Sequence, residues 1–261
     1  RRIEERGLNE GQLLKVHIKM DTGMGRLGFT PDDIPYVIED VRRIGDVEIE
    51  GIMSHFASSE KRDDYGMRQV EIFKNILSVF RDSGVEPQIS HMANSGAIIN
   101  YPEACFDMVR VGISLYGSYS DEALREKLPV KQVMRLVSKI GLIREFPPGF
   151  SLSYGRTFVT ERRTRIAYVP LGYADGYARA LSNKGSVLIK DKRCSVVGRV
   201  CMDWLLVDIT DLGDRDIEIE EEVTLLGTGD SNAITADELA LLAGTIPYEI
   251  LCSVTKRVPR V

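Results

Sequence analysis

The chain has 261 residues, and its 34 basic and 39 acidic side chains give a net charge of −5. An apolar fraction of 43% with so small a net charge excludes an intrinsically disordered chain. No apolar run approaches the ~20 residues that a membrane-spanning helix needs, and the mildly acidic balance argues against nucleic acid as a partner. We expect a globular protein of one or two domains that binds neither membranes nor nucleic acid.

Four cysteines and three histidines limit the metal sites that the chain could build. No two cysteines form a C-x-x-C pair, which argues against zinc. Cysteines in a chain without a recognisable signal peptide favour reduced, mostly buried thiols. We therefore expect a cytoplasmic protein that binds no metal.

The first 120 residues alternate between apolar strands and amphipathic helices. The first helix begins with Thr30 as N-cap and Pro31 behind it, and it ends before Gly45. The second has apolar residues at the 3.6-residue period and Gly84 after its last turn. This alternation predicts a parallel sheet covered by helices. The predicted strands are 13–20, 47–56, 88–92 and 108–113, and the helices are 31–44 and 64–83.

After about residue 120 the pattern changes to short segments separated by glycine, proline and aspartate. The one clear helix, 235–243, has Thr235 as N-cap, Glu238 in its first turn and Gly244 behind it. We therefore divide the chain into an α/β domain over 1–125 and a mainly β domain over 126–261. An apolar, β-branched segment over 130–143 is followed by predicted strands over 165–171, 186–189, 193–200, 205–209 and 222–226.

The predicted strands of the first half turn polar at their C-terminal ends. In parallel α/β barrels these ends meet at the active site, so the pattern predicts a site rich in cations and imidazoles. The alternative is that polar residues only mark where strands meet solvent. The side chains concerned are Lys19, Asp21, Ser54, His55, His91, Asn94, Ser95 and Arg110.

Glycine-rich loops carry further candidates. Arg26 follows two glycines in the segment DTGMGR at 21–26, where its guanidinium can bind a carboxylate with two hydrogen bonds. Gly112 leaves backbone amides open to an anion such as phosphate. Tyr154 precedes a glycine in the second half, and a tyrosine acts as acid or base when nearby cations lower its pKa. An ordinary turn explains each of these loops equally well.

Eight segments together resemble the alanine racemases, pyridoxal phosphate enzymes built from an α/β barrel and a β domain. The resemblance implies the later half of an α/β (TIM-like) barrel, followed by a mainly β C-terminal domain. The segments are KMDTGMGRLGF at 19–29, SHFASSE at 54–60, HMANSGA at 91–97, DMVRVGISLYG at 107–117, SYGRTF at 153–158, LGYADGYARAL at 171–181, VGRVCMDW at 197–204 and IPYEILCSVTKRVPR at 246–260.

The resemblance implies interconversion of L- and D-alanine, supplying D-alanine for peptidoglycan, with pyridoxal 5′-phosphate as cofactor. It implies that Tyr154 is a catalytic acid–base that reaches into the other subunit's site, in a homodimer with shared active sites. His55 is implied to position Tyr154 near the cofactor, and Arg110 to pair with the pyridine nitrogen. The implied phosphate ligands are Ser95, Gly112, Ile113 and Tyr248.

The same resemblance implies how a small amino-acid substrate is bound. Arg26 and the amide of Met202 are implied to hold its carboxylate. Lys19 lies at a position that is often carbamylated in the family, which would make it an anion able to orient Arg26. Three further residues match positions in or near the access corridor: Tyr173, Arg179 and Asp203.

Racemisation removes a proton from one face of the α-carbon and returns one to the other, so it needs two acid–base groups. The family's second group is a Schiff-base lysine in a motif resembling K-A-x-A-Y-G-H-G, which does not occur in this sequence. The absence of this motif, together with a first residue, Arg1, that is not Met, predicts a fragment that lacks its N-terminal segment. We expect it to fold only with that segment and to be inactive alone.

The sequence leaves three alternatives open. The nearest is a racemase for serine or for another small or basic amino acid, although Tyr248 favours a methyl side chain. A cofactor-binding regulator without catalytic activity is disfavoured by the motifs of the second half. The third is a pseudoenzyme that has lost its lysine.

Overall fold

The computed structural model describes residues 13–44, 46–212, 217–229 and 231–261. They form two compact units: the first holds the described residues up to Gly112 and Ser120–Pro129, and the second holds Ile113–Tyr119 and Val130–Val261. Arg1 and Gly45, on which two predictions depend, lie outside the described residues. Of the described helices, none combines the length and the apolar character needed to cross a membrane.

Three parallel strands in the order β1–β2–β3 form the sheet of the first unit. Parallel pairing follows from the alternation of strands and helices, because each helix returns the chain to the same end of the sheet. The apolar faces of sheet and helices share one core that includes Met20, Ile52, Phe73 and Phe80. The elements are β1 (Leu14–Lys19), α1 (Ile34–Ile44), β2 (Val47–Met53), α2 (Asp64–Asp82), β3 (Ile89–His91) and α3 (Ser95–Asn100).

Both predicted helices of this unit are confirmed, with the expected local signals at their ends. The Asp33 carboxylate accepts hydrogen bonds from the amide and the hydroxyl of Thr30, both at 2.7 Å. A short 3-10 turn, Pro31–Asp33, precedes α1. Asp63 caps α2 with its side chain, and Gly84 follows that helix with a φ of +77°, which favours glycine.

The prediction of a strand over 108–113 is wrong. The amides of Asp107 and Arg110 donate to carbonyls of the segment around β3 at 3.0 and 2.9 Å. Hydrogen bonds three residues apart do not make a ladder, in which every second residue is bonded. Arg110 therefore lies on a loop rather than at a strand end, and Ile113 begins a 3-10 turn, Ile113–Tyr116.

The second unit is mainly β. Eight strands form one antiparallel sheet in the order β13–β12–β9–β10–β11–β8–β5, with β4 paired to β12, while β6 and β7 form a separate hairpin. Its core includes Ile140, Val187, Leu205 and Leu225. The strands are β4 (Leu136–Lys139), β5 (Leu142–Phe146), β6 (Ser151–Leu152), β7 (Phe158–Val159), β8 (Thr164–Val169), β9 (Ser186–Ile189), β10 (Lys192–Val197), β11 (Leu205–Asp208), β12 (Glu222–Thr228) and β13 (Ala233–Ile234).

Among the described residues of the second unit there are two α-helices, α4 (Ala236–Ala243) and α5 (Pro247–Ser253). The first is confirmed: the Thr235 hydroxyl accepts a hydrogen bond from the Glu238 amide at 3.1 Å, and Gly244 closes the helix with a φ of +73°. The prediction of a single helix is wrong, because α5 begins directly after the turn that ends α4. Pro247 at the first position of α5 was the local signal in the sequence for the start of this helix.

All four cysteines are free. The prediction that most of them are buried is wrong, since Cys194 alone is buried and Cys105 and Cys201 are half-buried. Cys252 is exposed on α5, the helix that the sequence pattern did not predict.

Candidate active site

Arg110 is the centre of the site in the first unit. Its Nη1 donates to Nδ1 of His91 at 2.6 Å, and its Nη2 donates to the Ser54 carbonyl at 2.7 Å. Nη2 also lies 3.0 Å from Nδ1 of His55 and 3.2 Å from the Met92 carbonyl. Ser54 and His55 directly follow β2, and Met92 directly follows β3. The guanidinium is therefore held at the carboxyl ends of two parallel strands.

The imidazoles beside Arg110 are kept neutral by their surroundings. Burial lowers the pKa of His91 to about 4, and the charge of Arg110 adds to the effect. Burial also lowers the pKa of His55, followed by the positive charges of Arg110, Arg26 and Lys19. Since the charges of Arg110, Arg26 and Lys19 all act on His55, the structure brings these four predicted site residues close together.

Hydrogen bonding continues from His91 away from Arg110. Nε2 of His91 lies 2.7 Å from Nδ1 of His17, and Nε2 of His17 lies 3.4 Å from Oε2 of Glu50. Glu50 also pairs with Lys15 at 2.9 Å. The search for polar strand ends missed His17 and Glu50, because both lie within strands. The sequence did offer one signal for His17, which lies two residues before the candidate Lys19 and therefore on the same face of β1.

Arg26 is carried by a loop that closes on Asp21. The Asp21 carboxylate accepts hydrogen bonds from the amides of Gly23 and Met24, both at 2.8 Å. Burial alone would raise the pKa of Asp21. Hydrogen bonds from these two amides and from those of Gly25 and Arg26 outweigh burial and lower it. The ionised carboxylate and the folded loop therefore stabilise each other.

Helix α2 holds the same loop from one side. The Tyr65 hydroxyl donates to the Gly23 carbonyl at 2.6 Å. Glycine is required at position 23, because its φ is +129° and a Cβ there would lie 2.6 Å from the Tyr65 oxygen.

Ser95 and Gly112, two predicted phosphate ligands, lie side by side. The Gly112 amide donates to the Ser95 hydroxyl at 2.9 Å. Ser95 is the buried first residue of α3, directly after the N-cap Asn94. Ile113 follows Gly112 along the chain, is buried, and belongs to the second unit.

The groups gathered in the first unit favour an anionic ligand. They are guanidinium, backbone amide and hydroxyl groups, which bind carboxylates and phosphates. In the part of the chain that the structure describes, no cluster of three or more His, Cys, Asp and Glu side chains could hold a metal ion.

Tyr154 stands on the turn between β6 and β7, with 71% of its surface exposed. The backbone around it is strained at Ser153 and Arg156, whose φ values are +61° and +53°, while Gly155 between Tyr154 and Arg156 adopts a φ of +70° that suits glycine. Such conformations persist only where surrounding contacts enforce them. The Ser153 hydroxyl supplies one such contact by donating to the Arg199 carbonyl at 2.7 Å.

A cavity of about 680 Å³ in the second unit has Tyr154 in its wall. Cys201 and Trp204 line the same cavity. The loop that carries Met202 therefore lies close to Tyr154 within this unit.

Two loops that carry predicted residues are joined through their backbones. The amides of Tyr173 and Ala174 donate to the carbonyls of Cys201 and Met202, both at 3.0 Å. Gly172 permits this approach, because a Cβ there would lie 2.2 Å from the Cys201 carbonyl oxygen. Among the described residues no hydrogen-bond acceptor is assigned to the Met202 amide.

The remaining predicted residues of this unit are more scattered. Asp203 is paired with Arg257 at 2.7 Å, and Arg257 also lies 3.2 Å from Asp175. The sequence search missed Arg257, which comes from the distant C-terminal segment. Arg179 is exposed at the start of a 3-10 turn, and Tyr248 is exposed on α5.

Known protein families match both halves of the chain. Residues 1–120 match a family described as "Alanine racemase, N-terminal domain", and residues 133–261 match "Alanine racemase, C-terminal domain". Alanine racemase 2 of Caldanaerobacter subterraneus subsp. tengcongensis is 43% identical over 254 residues, covering 97% of this chain and 65% of that protein. Alanine racemase 1 of Clostridium acetobutylicum is 40% identical over 263 residues, covering 100% of this chain and 68% of that protein. The chain belongs to the alanine racemase family.

Solved alanine racemase structures have the same fold. The crystal structure of alanine racemase from D-cycloserine-producing Streptomyces lavendulae matches with a TM-score of 0.88 and 35% identity, covering 96% of this chain and 66% of that one. The predicted fold class, an α/β barrel domain followed by a mainly β domain, is confirmed by this match. The chain spans 65% of the length of alanine racemases from three bacteria.

Proposed function

We propose that this protein interconverts L-alanine and D-alanine, with pyridoxal 5′-phosphate as its cofactor. The observation that carries the proposal is the Arg110 guanidinium, held by neutral imidazoles and backbone carbonyls at the carboxyl ends of β2 and β3. It occurs in a chain that is 43% identical to a protein named alanine racemase 2. The D-alanine formed would supply peptidoglycan.

The residues present fit pyridoxal 5′-phosphate at its ring nitrogen and at its phosphate. Arg110 has N–H donors and no acceptor, which suits an unprotonated pyridine nitrogen. The Ser95 hydroxyl and the Gly112 amide, which here donates to that hydroxyl at 2.9 Å, are the two donors that would turn towards a phosphate oxygen. Ile113 and Tyr248 are the other phosphate ligands in this proposal. The family's lysine motif does not occur in the sequence, so we assign no residue here to the cofactor's aldehyde.

The bound cofactor supplies the electron sink that makes the α-proton of the amino acid removable. We assign proton transfer on one face of the α-carbon to the phenol of Tyr154, which the strained β6–β7 turn holds exposed. His55 is assigned to position this phenol. Burial and the neighbouring cations lower the pKa of His55, so its imidazole is neutral. Because Nδ1 of His55 accepts from Arg110 at 3.0 Å, the proton is on Nε2, which can donate a hydrogen bond to the phenol oxygen.

Two N–H donors are assigned to the substrate carboxylate, the Arg26 guanidinium and the Met202 amide. Arg26 is exposed on the loop that closes on Asp21. Lys19 is a second cation near His55, and its carbamylation would create an anion able to pair with Arg26. The access corridor is assigned to Tyr173 and Arg179, with Asp203 nearby.

We further propose that the protein is a homodimer with shared active sites. In this arrangement Tyr154 of one copy serves the site built around Arg110 of the other copy. The exposure of the Tyr154 phenol supports the assignment, since a buried phenol could not reach another molecule.

The test is enantiomer formation, with added pyridoxal 5′-phosphate, by the protein expressed from its whole natural gene, because residues 1–261 alone are expected to be inactive. L-alanine, L-serine and L-lysine are incubated separately, and the D-enantiomer is measured by chiral chromatography. We expect the highest kcat/KM with alanine. A higher value with serine or lysine would replace the substrate assignment, and no D-product from any of them would refute the proposal.

The control variant is Tyr154→Phe, which keeps the ring and removes the acid–base group. We expect kcat to fall at least about 100-fold, the usual contribution of a general acid or base. Intact mass measured with and without borohydride reduction shows whether the cofactor is covalently bound.

A further inference from the structure

We infer that His17 is a positioning residue for Arg110, acting through a hydrogen-bonded relay that runs from Arg110 through His91 and His17 to Glu50. The catalytic consequence of this relay rests on the proposed function. The relay itself lies wholly within the described residues of the first unit.

The chemistry of its two ends gives the relay a direction. The Arg110 guanidinium has only donors, the Glu50 carboxylate has only acceptors, and a neutral imidazole has one of each. Nδ1 of His91 must therefore accept from Arg110 at 2.6 Å. Nε2–H of His91 then donates to Nδ1 of His17 at 2.7 Å, and Nε2–H of His17 faces Glu50 at 3.4 Å. A single tautomer of each histidine satisfies every contact.

The backbone is shaped around His17. The register of the β1–β2 pair shifts at this point, so that Val16 pairs with Ile49 while His17 pairs with Gly51. Such bulges re-aim side chains next to functional sites. Here the extra residue is Glu50, whose carboxylate closes the relay. Gly51 leaves room for the imidazole, because a Cβ there would lie 2.5 Å from Nδ1 of His17.

Burial and charge favour the protonation states that the relay requires, a neutral His91 and an ionised Glu50. His91 is only 3% exposed, and an imidazolium there would face the Arg110 cation. At the other end, the Lys15 ammonium donates to Glu50 at 2.9 Å, and this bond is the main cause that lowers the pKa of Glu50. The acceptor at the end of the relay is therefore ionised.

Without His17, the Nε2–H of His91 would lose its acceptor. The other tautomer would then become accessible to His91, and its Nδ1–H would face the Nη1 donor of Arg110. Two opposed donors repel each other, so the guanidinium would lose a fixed orientation. His17 thus controls Arg110 without touching any ligand.

The test is the protonation of the imidazole nitrogens by ¹⁵N NMR. The chain has three histidines, so protein labelled with ¹⁵N-histidine gives a spectrum that single substitutions can assign. At mildly alkaline pH we expect both His91 and His17 to be protonated at Nε2. Protonation of His91 at Nδ1 in the unsubstituted protein would overturn the relay.

Substitution of His17 tests the consequence. In His17→Leu we expect the Nδ1 signal of His91 to shift towards the protonated form. We expect kcat to fall about tenfold, because the charged Arg110 guanidinium would then lose its hydrogen bond to Nδ1 of His91. His17→Gln keeps an acceptor and a donor, so it should restore both readouts. Glu48→Gln, on the neighbouring strand, is the control and should change neither.

The two proposals fail in different ways. An unchanged His91 spectrum in His17→Leu would refute the relay even if the protein racemises alanine. Absence of racemisation with the expected tautomers would refute the proposed function and leave the relay supported.

Discussion

Asp21 and Arg26 stand at opposite ends of one loop, and the first organises the second. Four backbone amides point towards the Asp21 carboxylate, and their dipoles stabilise its charge. The loop that would bind a substrate carboxylate is thus ordered by a carboxylate of the protein. The amide of Arg26 is one of these four, whereas its side chain is exposed.

Asp21→Asn keeps the size of the side chain and removes its charge. We expect the KM for L-alanine to rise about tenfold with little change in kcat, because the loop would hold Arg26 less firmly for binding. Steady-state kinetics measure this, with Asp32→Asn as the exposed control. A fall in kcat at constant KM would contradict the assignment.

His91 makes a separate contribution to the dependence of stability on pH. The native state keeps it neutral down to about pH 4, whereas the unfolded chain takes up the proton near 6.5. Between these values the unfolded state binds more protons, so the free energy of unfolding falls as the pH falls. The part due to His91 is at most about 3 kcal/mol.

Urea unfolding at about pH 7 and about pH 4.5 measures this loss, and the His91→Gln variant should show a smaller one. Equal pH dependence in the two proteins would mean that His91 titrates alike in the folded and unfolded states.

At the scale of elements, the β6–β7 hairpin that presents Tyr154 is held by contacts outside itself. Each strand has two residues, too few for an independently stable hairpin. The Ser153 hydroxyl fastens it to the Arg199 carbonyl. Gly198 lets the two segments approach, because a Cβ there would lie 2.6 Å from that of Ser153.

Ser153→Ala removes this bond and leaves the core of the unit untouched. We expect kcat to fall about tenfold while the midpoint of thermal unfolding moves by a few degrees at most, since one partly exposed hydrogen bond contributes about 1 kcal/mol. Ser195→Ala, an exposed serine of β10, is the matched control. Unchanged kcat would show that Tyr154 does not depend on the hairpin's anchor.

At the scale of the whole molecule, the predicted site residues are divided between two units, each with its own core. Each unit therefore orders its own share of the site by its own packing. The first unit holds Lys19, Arg26, His55, Ser95, Arg110 and Gly112, and the second holds Ile113, Tyr154, Tyr173, Arg179, Met202, Asp203 and Tyr248.

Mixing two inactive variants tests the proposed shared sites. Chains with Tyr154→Phe and chains with Arg110→Ala are unfolded together in equal amounts and refolded. If Tyr154 serves the other copy, each hybrid dimer regains one intact site, and random pairing restores about a quarter of the original activity. No recovery, in a sample shown to contain hybrids by differently tagged chains, would place both residues in the same copy's site.

Local signals predicted much of the fold. The ends of α1, α2 and α4 follow from Thr30, Gly84 and Thr235, because capping bonds join residues only a few positions apart. The wrong strand over 108–113 shows the limit of this reasoning. Its apolar residues resemble a strand, but whether they join a ladder depends on partners far away in the chain.

At the candidate site, too, local signals identified some residues and distant contacts decided the others. The sequence by itself determined Arg110, His55, Ser95 and Gly112 as candidates, because polar residues and glycine interrupt apolar runs. Only the tertiary structure decided that His17 and Glu50 belong with Arg110. Their contacts cross three strands and depend on a bulge, and strand register is determined by the packing of the folded chain rather than by neighbouring residues.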